Sequence, residues 1–210
     1  MNWSSKAMIV LEKIMFISLL NILWIACTLL GLGIFGVFPA TFALFKIIST
    51  SELFEPQSSL KPIVKEYLVH YRAYFWKANI IGIVYAAIFY GIAIDKNIIQ
   101  NNEVIASFLN LPLNIFLVYV IETLIFLFPI AIHTEGTTKQ KIRLTIMAPM
   151  IMPKASVLII LVGVTLFILL DIFSAGIFLF YISLSVLALH TICLHAMYRK
   201  NLIINEGAAV

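Results

Sequence analysis

Between Lys13 and Lys46 the chain carries no charged side chain. A single straight helix through that run would be about 48 Å long, against a hydrocarbon core of about 30 Å. The stretch Gly31-Leu32-Gly33-Ile34-Phe35-Gly36-Val37-Phe38-Pro39 lies in its middle. Three glycines and a proline lower the cost of breaking a helix there. The run therefore reads as two membrane passes hinged at Gly31, Gly33, Gly36 and Pro39.

The rest of the chain extends the pattern. With 62% hydrophobic residues, 11% charged residues and a mean hydropathy of +1.06, it is too apolar for an ordinary soluble domain. The expected fold is all-α, a polytopic transmembrane helical bundle forming one integral membrane domain over residues 1–210. Six passes are expected: Ile14 to Leu30, Phe38 to Ser49, Ala78 to Ile94, Leu111 to Ile132, Ala155 to Leu170, and Ala175 to Tyr198. The alternative has five passes, with residues 31–45 re-entrant or interfacial. Asp171 to Gly176 is the expected break between the last two passes, and Ser49 to Pro62 an expected surface loop, with Ser59 a helix cap.

Two segments outside the passes have a different character. Ile63, Tyr67, Tyr71 and Phe75 recur every four residues, while Lys65, Glu66, His70, Arg72 and Lys77 fall largely elsewhere on the helix. That spacing predicts a helix lying in the membrane interface before turning inward. A second basic loop, His133 to Lys154, carries Lys139, Lys141 and Arg143, with an interfacial helix expected over Thr138 to Ala148 and ended by Pro149 and Pro153. Lys65, Arg72, Lys77, Lys139, Lys141 and Arg143 form the candidate cytoplasmic contact surface, for a protein partner or for anionic lipid. The net charge of +4 is thus explained by orientation in a cell membrane, with no nucleic-acid partner required. Six passes with both termini in the cytoplasm put every basic loop inside. The five-pass alternative strands Lys6 and Lys13 outside. The first apolar run is much longer than a signal-peptide core and lacks a small-x-small cleavage site, so it is expected to be retained.

Signals of chemistry are few. Glu122 sits near the middle of the fourth pass, where an ionised carboxylate is expensive unless paired, hydrated or protonated. His190 lies at a depth where the two side chains meet if both face the bundle interior. They form a candidate polar pair, handling a proton or substrate or serving as interhelical hydrogen-bond glue. His190, Cys193 and His195 invite a metal reading. On a helix, however, the three do not converge, and no other Cys or His cluster completes a site. Cys27 and Cys193 read as buried small hydrophobes. Asn21, Asn79 and Asn114 suit helix-helix hydrogen bonds, and Asp171 a helix end. There is no phosphate-binding loop, no nucleophile elbow and no zinc-protease helix. No catalytic residue, cofactor or metal is expected, and the chain reads as not an enzyme.

Asn21-Ile22-Leu23-Trp24, the glycine-rich turn, and Pro39-Ala40-Thr41-Phe42-Ala43-Leu44 together resemble the YesL family of bacterial membrane proteins. Tyr74-Phe75-Trp76-Lys77-Ala78-Asn79 is similar to that family's aromatic-basic entry into its next span. The family has no established activity and defines no site residues. Its members are commonly associated with carbohydrate-use loci beside ABC sugar transporters. The resemblance implies an accessory role in sugar uptake, with transporter subunits or an associated signalling protein as partners. A small solute transporter and a membrane sensor or scaffold are the alternatives. The loop after the fourth pass lacks the E-A-A…G coupling pattern of an ABC permease, since Gly136 follows Glu135 at once.

Overall fold

The computed structural model describes residues 3–50, 60–100, 103–172 and 180–203. The polar loop with Ser59, and most of the Asp171 to Gly176 break, lie outside the described residues. Among the described residues seven helices follow in order: α1 (Trp3–Leu30), α2 (Ile34–Thr50), α3 (Lys61–Gln100), α4 (Glu103–His133), α5 (Thr138–Ile151), α6 (Pro153–Ile172) and α7 (Tyr181–Arg199). No strand occurs among the described residues. Helices α1, α2, α4 and α6 are apolar nearly all round, as lipid-facing helices must be. In α1, α3, α4 and α7 only 22–39% of the hydrophobic window is buried, leaving most of it for lipid to cover.

By length and composition α1, α3, α4 and α7 can each cross a membrane, and α5 with α6 makes a fifth, bent by 82° at Met152. Six passes were expected. The difference is α2, whose 17 residues rise about 25 Å, short of the core. The all-helical membrane fold stands, and the lengths support the five-pass alternative.

Contacts divide the chain into two units, one of Met1–Asn79 with Ile160–Ile192 and the other of Ile80–Ile159 with Cys193–Val210. The division falls inside α3, α6 and α7.

In the first unit the glycine corner reverses the chain. Gly33 N–H donates to Thr28 C=O at 2.9 Å and Leu32 N–H to Leu29 C=O at 3.0 Å. This is a Schellman ending, in which the last carbonyls of α1 are satisfied by a left-handed residue. That residue is Leu32 (φ 57°), followed by Gly33 (φ 78°). α2 then runs back along α1. A Cβ on Gly36 would lie 2.3 Å from Thr28 O, so only glycine permits this approach, and Trp24 donates to Thr41 Oγ1 at 3.1 Å further along. Pro39 is not at the corner. It lies inside α2, fully buried, because a helix started at Ile34 carries it two turns beyond the reversal.

The charged half of α3 packs across this hairpin. Tyr67 donates to Ala40 C=O at 2.8 Å, Tyr71 to Cys27 C=O at 2.9 Å, and Tyr74 stacks on Phe42 with ring centres 5.4 Å apart. The predicted inward turn near Ala78 is absent. α3 continues for 40 residues, about 60 Å, because nothing from Ile63 to Ile81 breaks it and single glycines at 82 and 91 cost only about 1 kcal/mol each. These contacts also bear on the weave. They set the Arg72 segment beside the corner and the first half of α2. A six-pass layout needs that segment at the opposite face of the bilayer.

In the second unit, α5 lies against α4. A capping box starts α5: Thr137 Oγ1 accepts from Gln140 N–H, and Thr137 N–H donates to Gln140 Oε1 at 2.8 Å. The predicted helix over Thr138 to Ala148 is present and runs past Pro149 to Ile151. Tyr119 of α4 donates to Ile146 C=O, and Lys141 donates to Ala131 C=O at 3.0 Å in the last turn of α4. A lysine there satisfies a carbonyl that has no helical donor.

Candidate functional site

Glu122 lies two-thirds of the way along α4 and is 6% exposed. The helix is apolar on both sides of it, so its surroundings come from elements packed against α4. Ser156, in the first turn of α6, is a polar neighbour of its carboxyl. The Ser156 hydroxyl donates to the carbonyl of Pro149, in the last turn of α5, at 3.3 Å. Glu122 Oε1 is buried without a hydrogen-bond partner. Beside it, Thr123 donates to Val120 C=O at 2.8 Å and receives the Tyr85 hydroxyl at 3.2 Å, so that hydroxyl is fully used.

The geometry of Pro149 has a local cause. A carbonyl inside a helix accepts from the N–H four residues on, and that residue here is Pro153, which has none. The two prolines legible as helix enders thus do more than end a helix. They leave a carbonyl whose polar contact comes from a side chain. Sequence reasoning singled out Glu122 and missed Ser156. The signal available was the paired prolines immediately before it.

His190 belongs to the first unit. It is 5% exposed in α7, and its ring meets Phe45 edge-on at 6.1 Å between centres. Glu122 and His190 each have these surroundings in their own unit. Cys193 is fully buried, whereas His195 on the same helix is exposed, and Cys27 is fully buried in α1. Among the described residues no group of three His, Cys, Asp or Glu gathers as metal ligands do.

Asn21 makes the expected helix-helix hydrogen bond, from α1 to the backbone of α7. Its Oδ1 accepts from the N–H groups of Ile182 and Ser183 at 3.1 and 3.2 Å. It caps the start of α7 from another helix, doing what a preceding Asn or Ser ordinarily does. Asn79 bonds within its own helix, to Phe75 C=O.

Of the six candidate contact residues, Lys65, Arg72 and Lys77 are exposed on the first unit, and Lys139 and Arg143 on the second. Lys141 is half-buried by its bond to α4. A cleft of about 480 Å³ opens between the end of α3 and the start of α4, lined by Asp95, Ile98, Leu109, Pro112 and Phe116. Its walls are apolar apart from one carboxylate.

Fold and site together define a helical membrane protein with a buried carboxylate where α4 meets the bend between α5 and α6. Residues 17–96 match the model of a family described as "Protein of unknown function, DUF624". The chain is also similar to "Uncharacterized protein YteU" of Bacillus subtilis (strain 168), 29% identical over 159 residues that cover 76% of this chain and 70% of that protein. The family match takes in the corner, α2 and most of α3. No solved structure matches.

Proposed function

We propose that the chain is a non-enzymatic accessory protein of the cell membrane, of the YesL type, that works beside an ABC sugar transporter or its regulatory system. The resemblance around Asn21 to Leu44 supports this reading. The observation that carries it is the set of exposed basic side chains on α3 and α5. Lys65, Arg72 and Lys77 stand on the half of α3 held by the hairpin, and Lys139 and Arg143 on α5. Basic residues of this kind face the cytoplasm. With five spans, the corner, the charged half of α3, α5 and the C-terminus share that side, and the N-terminus lies across the membrane.

The test is a crosslinked pull-down from native membranes. Transporter subunits are expected among the captured neighbours, and Lys65→Gln, Arg72→Gln and Lys77→Gln together are expected to reduce their yield severalfold. Capture unaffected by these changes removes the docking role. Capture of no transporter subunit removes the accessory reading.

A second reading, a small solute transporter, draws support from one feature. Interrupted helices beside a buried ionisable side chain occur at transport sites, and α5, α6 and Glu122 have that arrangement. Solute flux into proteoliposomes holding only this protein would favour it over the accessory role.

A further inference from the structure

We propose that the cleft between the end of α3 and the start of α4 binds a lipophilic monovalent cation, its charge on Asp95 and its apolar body against Leu109, Leu113 and Phe116. The proposal rests on neither reading of function. The cleft lies wholly within the second unit and uses none of the residues around Glu122.

Two stripes build the cleft. Asp95, Ile98 and Ile99 on α3, and Leu109, Pro112, Leu113 and Phe116 on α4, recur at the three- and four-residue spacing of one helical face. Among the described residues that line it, Asp95 alone is polar. Its own helix brings it no counter-charge. The residues one turn away are Gly91, Ile92, Ile98 and Ile99, and Lys96, next in sequence, belongs to a different face. The opposite wall offers aliphatic and aromatic carbon. Ile94, Ile98, Leu109 and Phe116 are exposed around the carboxylate, surface that lipid covers in a membrane. An ionised acid in such surroundings is costly unless it is paired or hydrated.

The lining selects the occupant. One carboxylate balances one positive charge, and no second oxygen or nitrogen side chain lines the cleft to hold a divalent metal ion. An anion is repelled. A small hydrated cation gains nothing from the apolar walls, whereas a cation that carries hydrocarbon or aromatic groups buries them there. The volume of about 480 Å³ is that of a site for such a molecule, since ligand pockets run to about 300–1,000 Å³ and join mostly apolar walls to a few placed polar groups. Both the six-pass and the five-pass layout put this end of α3 on the extracytoplasmic side, so the cation enters from the outer half of the bilayer.

The experiment uses the full chain in phosphatidylcholine nanodiscs and radiolabelled tetraphenylphosphonium. Tetraphenylborate, of the same shape and opposite charge, is assayed separately. Tetraphenylphosphonium is expected to bind saturably and to be displaced by dodecylammonium, while tetraphenylborate shows only non-saturable uptake by lipid. Asp95 is exposed, so Asp95→Asn leaves folding intact, which an unchanged thermal midpoint checks. That variant is expected to weaken binding about tenfold, the effect of one charge pair lost in an apolar setting. Leu113→Trp keeps the charge but fills the cleft, and is expected to weaken binding as much; should it not fold, Leu109→Trp takes its place. Binding that does not saturate, that is equal for the two ions, or that is unchanged in Asp95→Asn overturns the proposal. Loss in Asp95→Asn with full binding in the tryptophan variant puts the cation outside the cleft and overturns it too.

Discussion

Leu32 is the residue whose backbone the sequence leads one to misjudge. Three glycines surround it, and a left-handed position at the end of α1 belongs by chemistry to one of them. The chain gives it to Leu32 instead, 86% exposed with φ 57°. The end of α7 supplies the comparison. There Asn201, at φ 54°, takes the corresponding place, with Asn201 N–H on Tyr198 C=O and Leu202 N–H on Met197 C=O. Asparagine tolerates that conformation because its short polar side chain bonds locally, whereas a leucine there costs about 1 kcal/mol. Leu32→Gly is expected to stabilise the protein, raising its thermal midpoint by an amount corresponding to about 1 kcal/mol. Leu32→Asn is expected to do so by somewhat less. A lowered midpoint in both would mean that the exposed side chain contributes more than the backbone loses. The glycines have different work. Gly36 lets α2 lie on the backbone of α1, and Gly33 continues the left-handed turn.

Helices show most clearly what the sequence makes legible. Every fourth residue from Ile63 to Phe75 reads as a face turned to the membrane interface, but in the structure Tyr67 and Tyr71 hold that face on α2 and α1. Which helices it meets was hidden, because the contacts join residues 27 and 44 positions apart in the chain. The Thr137-x-x-Gln140 capping box was local and readable, and it marks the start of α5 more sharply than the basic residues did. Asn21 lay at the other extreme. Its partners are more than 160 residues away, so nothing near it in sequence points to α7. Loss of that cap has a definite size. Asn21→Leu is expected to cost about 1–2 kcal/mol, and Asn21→Asp to keep most of the stability in acidic buffer, where its neutral carboxyl still accepts from the N–H groups. Denaturant or thermal unfolding of the two variants side by side checks this. Equal loss in both would show that packing volume, and not the cap, is what Asn21 provides.

For the whole molecule, charge and length pull in different directions. Lys6 and Lys13 favour a cytoplasmic start, which six passes supply. The short α2 and the seat of Tyr71 beside the corner favour five. Reporter fusions decide between them. An N-terminal reporter is expected to be active only on the extracytoplasmic side, and C-terminal and Gly33 reporters only in the cytoplasm. Two cytoplasmic termini with an extracytoplasmic corner would restore the six-pass weave. Residue patterns alone leave the matter open, because an apolar run gives its length without saying whether the chain crosses the bilayer or turns back within it.

The partition of the chain adds a further constraint. Its two compact portions exchange the polypeptide at residues 79–80, 159–160 and 192–193, each time within an unbroken helix. No single cleavage therefore releases either portion as a contiguous fragment. Each is assembled from segments remote in sequence, stitched to the other through shared helical cylinders. Neither is complete without α7, since residues up to 192 belong to the one and those from 193 to the other, and the cap from Asn21 joins the two ends of the first.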